Sequence, residues 1–97
     1  MKKEIVKNCM DSLAGFDLCE WREQKQTLIS VIDVLRNYPK PHTKKEICTN
    51  TKNLGAYLFI SNSRNACKLC INGFIGSCEA YQLVSKNLES ALSLLID

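Results

Sequence analysis

The sequence predicts a mainly α domain of four or five short helices, with room for a short hairpin or strand around 56–60 or 69–75. Three observations carry that prediction. Apolar residues recur at three- and four-residue spacing in several segments, glycine or proline stands where those segments stop, and capping-type residues stand where the next ones start. Ninety-seven residues are enough for one core and not for two, so residues 1–97 are expected to form a single domain.

The first helix is expected from about Lys3 to Ala14, with Ile5, Val6, Cys9, Met10 and Leu13 on one face. Gly15 ends it. Asp17 is the expected N-cap of the second helix, with Glu20 completing a capping box. That helix, about Leu18 to Asn37, puts Leu18, Trp21, Leu28, Val31, Ile32, Leu35 and Tyr38 on its apolar face, with Trp21 expected as a core anchor. Pro39 stops it, because proline lacks an amide hydrogen and forces the residue before it out of helical geometry.

Thr43 and Glu46 form the next capping box, which opens a short third helix ending near Asn50 to Asn53. Residues 49–53 compete for backbone hydrogen bonds and favour its end. The apolar run Leu54 to Ile60 fits either a buried strand or the core face of a helix. Ser61-Asn62-Ser63 looks like a cap cluster, with a helix from about Ser63 to Ile71 behind it. Asn72-Gly73 then makes a turn, or alternatively a tight hairpin between Leu69–Ile71 and Phe74–Ile75. The last helix, about Ser77 to Leu95, aligns Ala80, Leu83, Val84, Leu88, Ala91, Leu92 and Leu95.

Charge is divided unevenly along the chain. Residues 1–33 carry five basic and six acidic side chains. Residues 34–78 carry Arg36, Lys40, Lys44, Lys45, Lys52, Arg64 and Lys68 against Glu46 alone, and residues 79–97 carry one base against three acids. A basic middle of this kind is a local footprint for a polyanion or an acidic protein surface. No segment approaches the roughly 18–20 apolar residues of a membrane span. The basic start is not followed by the apolar run of a signal peptide, so a cytoplasmic location is expected.

Without a secretion signal, the six cysteines are expected as reduced thiols. Cys67-x-x-Cys70, with Cys48, Cys78 and His42, would supply enough donors for one zinc. A single C-x-x-C without a matching pair suits core packing as well, and no metal is assigned. There is no glycine-rich phosphate loop, paired-carboxylate motif or Ser/His/Asp arrangement. The sequence therefore predicts a protein that is not an enzyme and carries no cofactor.

Two functional expectations follow. Leu35-Arg-Asn-Tyr-Pro-Lys-Pro41, then Thr43-Lys-Lys-Glu-Ile-Cys48, then Ser63-Arg-Asn-Ala-Cys-Lys68 lie in the order of a supporting, a positioning and a recognition helix. Over about residues 28–71 the chain resembles small helix-turn-helix DNA-binding regulators. That resemblance implies transcription regulation, with Asn62, Ser63, Arg64 and Asn65 near base edges and Lys44, Lys45, Lys52 and Lys68 on phosphates of duplex DNA. It requires a helix beginning near Ser63. If residues 53–60 are themselves a helix, Tyr57 and Phe59 become core and the base-reading assignment fails. The alternative is an effector that binds a larger host protein, such as a nucleic-acid-processing enzyme, and modulates or inhibits it. Small phage- or plasmid-encoded proteins have this general look. In that case Tyr38, Pro39, Pro41 and His42 form a stiff presented turn.

Overall fold

The computed structural model describes residues 2–40 and 51–95. Helix α1 spans Lys2–Ser12, α2 Trp21–Leu35, α3 Thr51–Ile71 and α4 Ser77–Leu94, with a 3-10 turn at Phe16–Leu18 between α1 and α2. No strand occurs among the described residues, so the mainly α class holds. The helix expected from Thr43 falls outside the described residues. α1 packs on α2 and α4, and α3 packs on the same two, which closes a ring of four helices. Val6, Cys9, Leu28, Leu35, Ile60, Val84 and Leu88 fill its centre.

α1 forms as its periodicity implies, with Val6, Cys9 and Leu13 buried and Ile5 and Met10 packed against them. Gly15 follows at φ 75°, a left-handed conformation that costs an L side chain roughly 1–2 kcal/mol and glycine nothing. That reversal turns Phe16 into the core, where its ring stacks on Tyr81 of α4 at 5.4 Å between centroids. Gln24 Nε2 donates to the Phe16 carbonyl at 3.0 Å and holds the turn against α2.

The 3-10 turn overturns three expectations. Asp17 lies inside it rather than at an N-cap; Glu20 takes that position, and its side chain makes no capping bond. Leu18 is 91% exposed and Trp21 47% exposed, so neither belongs to the apolar face of α2. Phe16 occupies the anchoring role expected of Trp21. Leu28, Val31, Ile32 and Leu35 are buried as expected.

Tyr38 follows the end of α2 with its amide on the Leu35 carbonyl at 3.1 Å. Its ring is 5% exposed and lies 6.5 Å from that of Tyr57, so it is a core residue and not a presented one. Its hydroxyl is buried and finds no hydrogen-bond partner among the described residues. A buried donor without a partner costs about 1–3 kcal/mol of desolvation. Tyr38→Phe is expected to raise stability by about 1 kcal/mol in urea unfolding. Loss of stability would mean that the hydroxyl is satisfied in solution.

α3 is one continuous helix of 21 residues, which settles the ambiguity of Leu54 to Ile60. Residues 51–53 are helical despite their low propensity, and Ser61-Asn62-Ser63 lies in mid-helix rather than at a start. Ala56, Ile60, Ser63, Cys67 and Cys70 form its buried stripe. Ser63 survives there because its Oγ donates to the Phe59 carbonyl at 3.0 Å, the i−4 bond by which a serine satisfies itself inside a helix.

Asn72-Gly73 terminates α3 as a helix cap, and no hairpin forms. The Phe74 amide donates to Leu69 O at 2.9 Å and the Gly73 amide to Cys70 O at 3.0 Å, the paired bonds of a Schellman motif. α4 then returns along α3. A side chain on Gly55 would meet Leu94 Cδ1 at 3.0 Å, which places the start of α3 beside the end of α4. Gly55→Ala gains up to about 1 kcal/mol of helix propensity. Only the flexible tip of Leu94 has to give way, so a net gain of about 0.5 kcal/mol in thermal unfolding is expected. A drop would show that Leu94 is pinned. On α4, Ala80, Val84, Leu88 and Ala91 are buried, whereas Leu83 is exposed.

Candidate interaction face of the third helix

One turn of helix covers 3.6 residues, so the buried stripe of α3 leaves an opposite face built around Leu54, Leu58, Asn65 and Leu69. Leu58 is 53% exposed and Leu69 43%, with Asn62 and Asn65 exposed between them. Arg64 and Lys68 are four residues apart and therefore stack along one edge of this face. Arg64 is half-buried and Lys68 exposed. Lys52 is exposed at the start of the helix. No ion pair among the described residues engages any of these three cations; the pair found is Arg36 with Asp33 at 3.4 Å, both exposed.

Of the residues expected to contact DNA, Lys52, Asn62, Asn65 and Lys68 are thus exposed on α3 and Arg64 partly so. Ser63 is not available: it is fully buried, with its hydroxyl bonded to Phe59. Because the helix starts at Thr51, Arg64 and Asn65 lie more than three turns into it. The free amides of a helix N-terminus are therefore not beside them. Tyr57 and Phe59 pack against the core. Lys44 and Lys45 lie outside the described residues.

The expected partner-binding turn is also changed. Tyr38 is buried, Pro39 is exposed, and Pro41 and His42 lie outside the described residues. Leu58 and Leu69 escape a reading of the sequence because each sits in a local apolar run. Their exposure follows only once α3 is continuous and its register is fixed by Ala56, Ile60 and Cys67.

Cys67 and Cys70 are buried in α3, and Cys9 in α1. Burial pushes the Cys67 thiol up to about 12, helped by neighbouring Cys9 and Cys70, and that of Cys9 up to about 11. Cys70 is raised by the same desolvation. Thiols held protonated in this way are poor nucleophiles. Among the described residues, no group of three or more His, Cys, Asp or Glu is arranged to hold a metal ion. No described helix is long and apolar enough to cross a membrane.

What this face offers is apolar side chains, side-chain amides and, among the described residues, positive charge without an ion pair. No protein-family model, curated protein or solved structure matches the chain.

Proposed function

We propose that this protein is a non-catalytic binding module that docks on a larger protein through the outer face of α3 and modulates it. The observation that carries this reading is the exposure of Leu58 and Leu69 on the face opposite the core of a helix whose only charges are basic. A helix that docks on a partner presents apolar anchors at helical spacing on its free side, and this one does so. A small phage- or plasmid-type effector acting in the cytoplasm on a nucleic-acid-processing enzyme would use such a face.

A second reading, a DNA-binding regulator, is favoured by Asn62, Asn65 and Lys68, which are exposed together on the same helix. Asparagine is a base-edge donor and acceptor, and lysine a phosphate contact. Bases would then be approached from mid-helix.

The two readings separate by salt and by the leucines. For the docking module, affinity capture from host lysate is expected to retain a protein on wild type that Leu58→Ser/Leu69→Ser loses while keeping its helical circular dichroism. Binding of a labelled random-sequence DNA duplex, if seen at low salt, is expected to collapse near physiological salt. Duplex binding that persists at physiological salt and is unaffected by the leucine substitutions would reject the docking reading in favour of DNA.

A further inference from the structure

Leu58, Asn62, Asn65 and Leu69 are all exposed on α3, and they follow one another at spacings of four, three and four. That alternation is the repeat of a coiled-coil seam. The buried stripe Ala56, Ile60, Ser63, Cys67 and Cys70 has the same alternation. α3 therefore carries two rows about half a turn apart, one packed toward α2 and α4 and one whose side chains are exposed. Two exposed leucines alone would need no explanation. Two leucines in register with intervening asparagines form a strip along which a second helix can lie.

Charge selects the occupant. No acidic residue occurs between Glu46 and Glu79, and Lys52, Arg64 and Lys68 are unpaired among the described residues. A second copy laid α3 against α3 would bring basic edge against basic edge, with no acidic residue on either helix. A nucleic acid would leave the two leucines facing a phosphate backbone. Resting on the docking reading above, we propose that this strip binds a single amphipathic helix of an acidic partner. Glu or Asp of that helix flanks the seam beside Arg64 and Lys68, and a polar residue lies opposite Asn62 or Asn65. Asparagine in a seam lowers affinity but fixes register, because a buried amide must find a hydrogen-bonding partner. The partner helix is therefore selected by pattern as well as by charge.

The test uses the reduced 97-residue chain and fluorescently labelled synthetic peptides. One is a four-heptad helix with leucine and asparagine in its seam and glutamate on both flanks. The second carries lysine on the flanks, and the third is a scrambled version of the first with the same composition. The glutamate peptide is expected to bind at least about tenfold more tightly than either control. Leu58→Ser/Leu69→Ser and, separately, Lys68→Glu are each expected to weaken it by about tenfold. These positions are exposed, so the variants keep the fold, which circular dichroism checks.

No binding, or equal binding of the scrambled or lysine peptide, overturns the acidic-helix proposal. In that event the docking reading stands if lysate capture still depends on Leu58 and Leu69, and falls with it if capture does not. Self-association in sedimentation equilibrium that Leu58→Ser abolishes overturns the proposal in favour of a second copy. Displacement of the peptide by a DNA duplex at near-physiological salt overturns it in favour of nucleic acid.

Discussion

Leu88→Ala is expected to destabilise the protein by about 3 kcal/mol, which lowers Tm by roughly 15 °C in a domain of this size. Leu88 is fully buried on the inner side of α4. Truncation removes its transfer free energy and leaves a cavity that the helix backbones cannot collapse around. Small domains hold only about 5–15 kcal/mol of net stability, so one such change removes a large share of it. Leu69→Ala is the internal comparison. The residue type is the same, but its exposure on α3 predicts a change within about 0.5 kcal/mol. Thermal unfolding followed by circular dichroism checks both. Similar losses at the two positions would mean that Leu69 is covered in solution, and the free seam would then not exist.

The second large effect is alkaline. Cys9 and Cys67 ionise near 9.0 in an unfolded chain, but burial holds them protonated to about 11 and about 12 in the folded one. Between pH 9 and 12 the unfolded state has therefore released protons that the folded state retains. Stability follows the difference in bound protons, so it falls as pH rises through this window and is fully present below pH 9. A tenfold difference in proton affinity between the two states is worth about 1.4 kcal/mol, so the two thiols together account for a loss of several kcal/mol. Tyr38, whose phenol is raised by the same desolvation, adds in the same direction. Urea midpoints measured from pH 8 to 11 should decline steeply for wild type. The decline should be shallower for Cys9→Ala/Cys67→Ala, whatever that variant's starting stability. Equal slopes would show that the two thiols are hydrated in the folded state.

α1, α2 and α4 are legible in the sequence because each has one apolar face and one polar face, which is the pattern that periodicity detects. α3 is not. Its buried stripe contains a serine, and its outer face contains leucines, so polarity does not alternate cleanly between the two sides. The cap-like cluster Ser61-Asn62-Ser63 then suggests a start that the Ser63–Phe59 bond makes unnecessary. Trp21 misleads for a different reason. Side-chain size favours burial, but Gly15 and the 3-10 turn put Phe16 in the core and push the first turn of α2 beyond it. The basic middle of the chain is visible in sequence. Which of its residues share a surface is not, because that depends on a helical register set by packing.

The inner sides of α3 and α4 have a consequence for how this sequence can drift. Ala56, Ala66, Cys67 and Cys70 on one, with Ala80 and Ala91 on the other, are small residues at buried positions. Two helices that meet over small side chains come close together and leave no slack for an added methylene, which typically costs about 1–3 kcal/mol in a packed core. Enlargement on one side is tolerable only with reduction on the other. In a randomised library of these positions selected for folding alone, survivors should be enriched in pairs whose combined volume matches the native one, while single enlargements disappear. The outer Asn62, Asn65, Leu58 and Leu69 of α3, which are exposed, should vary more freely in the same library.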